Sequence, residues 1–130
     1  MGSMTGSVTV WGGGRKDHLP IFAEKAVRWY RTRHALDHTT IKATIHMTEE
    51  DSDGQWGSCN IEFNEKTGKD TYMVDLYGNQ SLREFISTVM HEMIHVKQWE
   101  TGCWDDDGEA EAELYQYLLA DEFWKSEEFC

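Results

Sequence analysis

The segment from Leu82 to about Trp99 constrains the fold of this 130-residue chain more than any other. Its apolar residues recur at helical spacing and trace a single stripe: Leu82, Phe85, Ile86, Val89, Met90, Met93 and Val96. Ser81 stands just before the stripe and Glu84 follows it by three residues, which is the capping-box pattern of a helix start. The sequence therefore predicts a long helix with one face in the protein core.

Alternating segments before this helix predict a small β-sheet. Apolar and polar residues alternate in 39–47, 59–63 and 71–77, as they do in strands with one buried face. Val8 and Val10 alternate more briefly, and we interpret this stretch as a loop or at most a short strand. The glycine-containing connection between the last two segments is typical of a hairpin. We expect three or four strands in a mostly antiparallel sheet.

Two further helices complete the expected architecture. Apolar residues keep helical spacing from Pro20, whose fixed φ suits a first helical turn, to about Ala35. A last helix is predicted from about Glu109 to Trp124, after an acidic loop with two glycines. We therefore expect an α+β fold in which residues 5–130 form a single domain, and we interpret residues 1–4 as an expression-tag remnant.

The charge and the composition of the chain indicate which binding partners and which cellular compartment to expect. A net charge of −12, from 24 acidic and 12 basic residues, argues against binding to nucleic acid or an anionic membrane. The exception is a local basic face on the first helix, formed by Lys25, Arg28, Arg31 and Arg33. No apolar stretch approaches the roughly 20 residues of a membrane span. Cys59, Cys103 and Cys130 form no CxxC pair and are odd in number, so we expect a protein of the reducing cytoplasm.

Within the long predicted helix, His91-Glu92-Met93-Ile94-His95 has the HExxH spacing. His91 and His95 lie one turn apart on the same side of a helix, where two imidazoles can bind one metal ion. Glu92 lies about 100° around the helix axis from His91, beside such a metal rather than in line with its ligands. A carboxylate there can accept a proton from water that the metal activates. The pattern predicts Zn²⁺ as cofactor, two histidine ligands and Glu92 as general base.

A catalytic zinc site also needs a third protein ligand. No histidine follows His95, so the remaining candidates are acids. Glu109 and Glu113 lie one turn apart on one side of the last predicted helix, so one can bind the metal while the other orients a ligand histidine. The acidic loop 105–107, with Asp105, Asp106 and Asp107, offers weaker rivals, because such loops are commonly just solvated.

In these residues the chain resembles the zincin metallopeptidases, and among them the gluzincins. In that family HExxH is followed by a glutamate on a later helix. Glu109 to Glu113 is similar to the family form ExEAD, with Glu113 in the place of the aspartate. The resemblance implies a minimal zincin fold, Glu109 as the third zinc ligand and Glu113 as the acid that supports a ligand histidine. The interval from His95 to Glu109 is short for a gluzincin, which leaves Glu111 as an alternative ligand.

A second resemblance involves Trp56-Gly57-Ser58-Cys59 together with the HExxH helix. The combination is similar to the WGSC…HE arrangement of small SprT-like and YgjP-like metallopeptidases, and 90–98 resembles SprT-like phage proteins. Those families typically have a third histidine after HExxH, which this chain lacks. The likeness implies that the WGSC segment lies close to the active helix and that the cytoplasm is that of a bacterial or phage-infected host cell. The residues alone indicate a turn that enters a strand, with Cys59 as a small buried residue.

These observations predict an enzyme that hydrolyses peptide bonds in a peptide or protein substrate. Glu92 favours catalysis, because a structural zinc site needs no base beside it. The alternative is a zincin-like binding or regulatory protein with a structural metal. Tyr115 and Tyr117 are candidate donors to the oxyanion, since a phenol can stabilise a tetrahedral oxygen, and aromatic residues of the core or rim are the alternative.

Overall fold

The computed structural model describes residues 6–50, 55–66, 68–104 and 106–126. The proposed tag remnant lies outside these ranges, as do Asp105 and Cys130. Along the chain the elements are β1 (Val8–Gly12), α1 (His18–Arg33), β2 (Thr40–His46), β3 (Gly57–Asn64), β4 (Lys69–Tyr77), α2 (Leu82–Thr101) and α3 (Glu109–Trp124). The fold is α+β, as the sequence predicted.

The described strands form one mixed sheet in the order β1-β2-β4-β3. β1 is parallel to β2 and β2 is parallel to β4, whereas β3 and β4 pair antiparallel. The expectation of a mostly antiparallel sheet is therefore wrong. Alternation marks a buried face but not a strand's direction, and the helical crossover through α1 returns the chain to the same end of the sheet. β3 then adds to β4 as an outer hairpin strand.

The helices cover one face of this sheet. β2 and β4 direct their apolar residues to that face: Ile41, Ala43, Ile45, Tyr72, Val74 and Leu76, none more than 4% exposed. The predicted stripe of α2 packs against them and is almost completely buried. α1 contacts both β1 and α2, and α3 packs on α2. None of the described helices combines the length and apolar character that crossing a membrane requires.

Local signals set the helix ends that matter for the site. Ser81 accepts a hydrogen bond from the backbone N–H of Glu84 at 3.2 Å, which confirms the predicted cap of α2. α2 ends at Gly102, whose φ of 67° lies in the left-handed region. α3 spans the predicted residues, and its far end packs on α1 through Phe123, 5.7 Å from the Trp29 ring.

Arg31 does not belong to the basic face that the sequence predicted. It is 2% exposed, and its guanidinium donates to the backbone carbonyls of Leu36, Asp37 and Thr39 at 3.3, 2.6 and 2.8 Å. These carbonyls belong to the connection between α1 and β2, so Arg31 holds the crossover that makes β1 and β2 parallel. A rigid fork with several donors suits this task.

Replacing Arg31 with lysine should destabilise the protein by about 2–4 kcal/mol, because one ammonium cannot satisfy three backbone carbonyls in that geometry, two of them in buried bonds. Urea unfolding followed by circular dichroism measures the difference. Arg28→Lys is the matched control on the same helix, where the exposed pair with Glu24 should be worth at most about 1 kcal/mol. Equal stabilities for the two variants would contradict this role.

Candidate metal centre

The structure brings His91, His95 and Glu109 together as one group of possible metal ligands among the described residues. One donor atom from each lies within 4.8 Å of the others. The Nε2 atoms of His91 and His95 are 3.0 and 2.8 Å from the two carboxylate oxygens of Glu109. The histidines come from adjacent turns of α2 and Glu109 is the first residue of α3, so the group spans the contact between two helices.

A glutamine holds the other ring nitrogen of each histidine. The Nδ1 atom of His91 lies 2.6 Å from Gln116 Oε1, and the Nδ1 atom of His95 lies 2.9 Å from Gln98 Oε1. Gln98 Nε2 donates to Gly108 O at 3.0 Å and to Glu111 Oε1 at 2.8 Å. Both partners only accept, so the orientation of the Gln98 amide is fixed by chemistry. Gln98 Oε1 must then accept a hydrogen bond from the His95 Nδ1–H.

In this arrangement an imidazole nitrogen of His95 and a carboxylate oxygen of Glu109 face each other, and both are hydrogen-bond acceptors. A neutral imidazole that donates through Nδ1 has a lone pair at Nε2. At His95 that lone pair faces a carboxylate oxygen of Glu109 at 2.8 Å, a distance that requires a proton or a cation between them. Two imidazole nitrogens and a carboxylate form a typical catalytic zinc donor set. The residues therefore fit Zn²⁺.

Sequence reasoning missed both glutamines. It assigned the support of a ligand histidine to Glu113, whereas the structure places Gln116 against His91. Glu113 is exposed and makes no hydrogen bond or ion pair with the described part of the chain. Glu111 lies outside the ligand group and binds Gln98 instead. Helical spacing would have revealed Gln98, which follows His95 by three residues and needs a partner when it is buried.

Glu92 lies beside the ligands in a tightly closed environment. It is 4% exposed and forms no hydrogen bond with a described residue. A Cβ atom added to Gly57 would lie 2.8 Å from Glu92 Oε2 and 2.7 Å from Thr88 Cγ2. The glycine of the WGSC segment therefore lets β3 approach α2 where Glu92 lies. Burial, followed by the charges of Glu109 and Asp75, raises the pKa of Glu92 to about 8.

A groove of about 730 Å³ opens in front of this group. His91, Glu92 and Glu109 line it, together with Glu113 and Tyr117 from α3. Tyr115 lies on a different surface, with Trp104 and Glu111, so the structure separates the two tyrosine candidates. The Tyr117 hydroxyl donates to Glu84 Oε2 at 2.9 Å, and this bond raises the pKa of Tyr117.

The remaining candidate site residues, Cys59, Asp106 and Asp107, lie outside the group of possible metal ligands. Cys59 is at the core edge of β3, where burial raises the pKa of its thiol to about 12. This supports its interpretation as a packed, unreactive residue. Asp107 accepts a hydrogen bond from the Glu109 backbone N–H at 3.0 Å and so fixes the start of α3.

Comparison with known proteins gives no relative. No protein-family model matches the chain, and no curated protein or solved structure matches it. What this protein does must therefore be inferred from its own residues.

Replacing Gln98 with leucine should weaken zinc binding about 10–100-fold, because His95 loses the acceptor that fixes its ring and α3 loses an anchor beside Glu109. Competition with a chromophoric chelator measures the affinity. Gln80→Leu is the control, since Gln80 lines the same groove and its hydrogen bonds go to Tyr77 and Thr88. A folded Gln98→Leu protein with unchanged affinity would show that this amide does not support the metal centre.

The metal-free protein should lose stability as the pH rises from about 4.5 to about 8. The pKa of Glu92 is higher in the folded than in the unfolded state, so its stabilising contribution is complete below the unfolded pKa and disappears as the pH passes the folded one. Glu92→Gln removes this titration. The free energy of unfolding of Glu92→Gln should therefore exceed that of the unsubstituted chain by an amount that grows across this pH window to the order of a few kcal/mol.

Urea unfolding with excess chelator at about pH 5 and about pH 8 tests this pH dependence. Glu62→Gln, an exposed change on β3, controls for the loss of one negative charge. Parallel pH curves for the unsubstituted chain and Glu92→Gln would rule out an unfavourable ionised Glu92 in the folded protein.

Proposed function

We propose that this protein is a zinc-dependent metallopeptidase of the zincin type with Glu92 as its general base. The observation that supports this most strongly is the position of Glu92, a carboxylate that is 4% exposed, has no hydrogen-bond partner among the described residues and lines one groove together with His91 and Glu109. A structural metal site has no need of such a carboxylate, because burying it without a partner costs stability.

Each residue of the candidate site has a distinct chemical role in this proposal. Zn²⁺ held by His91, His95 and Glu109 would polarise the scissile carbonyl and acidify the attacking water. Glu92 accepts the proton of that water at a carboxylate oxygen and then donates it to the leaving amine. A divalent cation at the neighbouring ligands also favours the ionised form of Glu92, which offsets the effect of burial on its pKa.

Other contacts position these groups. Gln98 and Gln116 keep Nδ1 of each histidine protonated and leave Nε2 free for the metal. Gly57 lets β3 close the site on the side of Glu92. Of the two tyrosines, Tyr117 is the better candidate for donation to an oxyanion, since it lines the groove, and it would have to release Glu84 to do so. The free thiols of Cys59 and Cys103 suit a reducing compartment such as the cytoplasm.

Two substitutions separate metal binding from chemistry. Glu109→Ala should abolish stoichiometric zinc binding and peptide hydrolysis together, because it removes a ligand. Glu92→Gln should retain about one zinc per chain but lose at least about 10²-fold in hydrolysis, because an amide cannot accept the proton of water. Elemental analysis of zinc-loaded protein and mass spectrometry of a digested peptide mixture provide the two measurements.

Glu111→Ala is the matched control on α3, since its carboxylate contacts Gln98 rather than the ligand group. It should keep about one zinc per chain and weaken its affinity less than Gln98→Leu does, because Gln98 retains its bond to Gly108 O. Cleavage at the unsubstituted rate by Glu92→Gln would remove Glu92 as the base. Failure of the unsubstituted chain to take up zinc would refute the metallopeptidase proposal as a whole.

A further inference from the structure

The groove in front of the candidate metal centre extends beyond the reacting groups. It follows the contact between α2 and α3 and includes Glu84, Glu113 and Tyr117, together with Trp56 near the start of β3. Glu84 precedes His91 by seven residues, about 10 Å along the axis of α2. Glu113 follows Glu109 by one turn of α3. A peptide that lies in the groove would therefore pass these two carboxylates a short distance from the cleaved bond.

The charge of the groove is one-sided. Its described lining residues include four glutamates and neither a lysine nor an arginine. A divalent cation at the ligand group would be balanced by Glu109 and Glu92, which leaves the charges of Glu84 and Glu113 without compensation from the lining. The nearest basic side chain on α2, Arg83, is turned to Asp121 at 3.5 Å. The groove thus keeps a negative potential even with its metal in place.

The two carboxylates are available to a ligand. Glu113 makes no hydrogen bond or ion pair within the described part of the chain, and Glu84 has one oxygen bound by the Tyr117 hydroxyl. That bond holds Glu84 against α3, on the side where Glu113 emerges. A second sign of a ligand is Glu92, which lines the same groove, is 4% exposed and has no hydrogen-bond partner among the described residues, so its carboxylate opens into the groove.

The walls of the groove suit a long aliphatic side chain with a charged end. Trp56 is 62% exposed and Tyr117 is 40% exposed, and both line the groove. Lysine and arginine bury their methylene groups along such aromatic surfaces while the charged group reaches a carboxylate. An acidic side chain would meet like charges on both sides of the groove, which is unfavourable.

We propose that this groove selects peptides with a lysine or arginine side chain within a few residues of the cleaved bond, and that Glu84 and Glu113 are the specificity-determining residues. The proposal rests on the proposed peptidase function, because it assigns the groove to a peptide.

Three pools of fluorescein-labelled dodecapeptides test the selection. One central position is fixed as lysine, Nε-acetyllysine or glutamate, and the other positions are randomised among uncharged residues. Nε-acetyllysine keeps the length of lysine and removes its charge. Fluorescence anisotropy with the zinc-loaded Glu92→Gln variant measures binding without cleavage. The lysine pool should bind about 3–30-fold more tightly than the acetyllysine pool, as expected for one cation between two partly exposed carboxylates.

The combined variant Glu84→Gln/Glu113→Gln, in the same Glu92→Gln background, should lose this preference and bind the acetyllysine pool as before. Glu62→Gln, which removes a charge outside the groove, should retain the preference. Equal binding of the lysine and acetyllysine pools overturns the proposal, as does no binding of the lysine pool. A second zinc equivalent that disappears in the combined variant also overturns it, because the carboxylates would then be metal ligands.

Cleavage of the same pools by the unsubstituted, zinc-loaded protein separates this proposal from the proposed function. A lysine preference in binding without cleavage of any pool refutes the peptidase and supports the selection. Cleavage of all pools at equal rates, with equal binding, supports the peptidase and refutes the selection.

Discussion

The buried amide of Gln98 connects the two helices on which the candidate site depends. Through one oxygen it accepts from His95, and through one nitrogen it donates to the backbone of Gly108 and to Glu111. A Cβ atom on Gly108 would lie 2.2 Å from Gln98 Oε1, so this amide packs directly on the turn that starts α3. The orientation of a ligand histidine and the position of Glu109 are therefore set by the same side chain.

Around this amide the protein gathers negative charge. Glu92 is buried, Glu109 faces both histidines, and the groove adds two more carboxylates. In the absence of a cation, burial and the nearby charges of Glu109 and Asp75 disfavour the ionised form of Glu92 and raise its pKa, so an ionised Glu92 works against folding. The apolar core between the sheet and the helices, together with the buried Arg31, stabilises the folded protein and offsets this unfavourable contribution. A site that is unfavourable in the metal-free protein and favourable with a cation is the arrangement expected of a metal centre.

The parts that the sequence predicted well are those with strong local signals. Ser81 and Glu84 mark the start of α2, and the acidic run from Glu109 marks the start of α3. The ligand pair follows from helix geometry alone, since His91 and His95 are one turn apart. Strand direction was not predictable in this way, because it depends on which strands meet across the sheet after the α1 crossover. Burial on α3 was also ambiguous: Leu114 and Leu118 are more than half exposed although their spacing is helical. The role of Gln116 required the distance between two helices, which no local pattern contains, whereas Gln98 lies on the same helix as His95.

The packing of α3 on α1 has a consequence far from the ligands. Phe123 and Trp124 anchor the last turn of α3 on Trp29 and Phe22, whereas Glu109 lies at the opposite end of the same helix. Only molecules in which α3 is docked present all three ligands to one ion, so the apparent affinity is the intrinsic affinity scaled by the docked fraction. The aromatic contacts at the far end thus add to the packing of α3 on α2 and raise the fraction of the protein that is competent to bind, without touching the ion. Zinc binding would, in turn, shift that equilibrium toward the docked form and join the two ends of α3 in one cooperative unit.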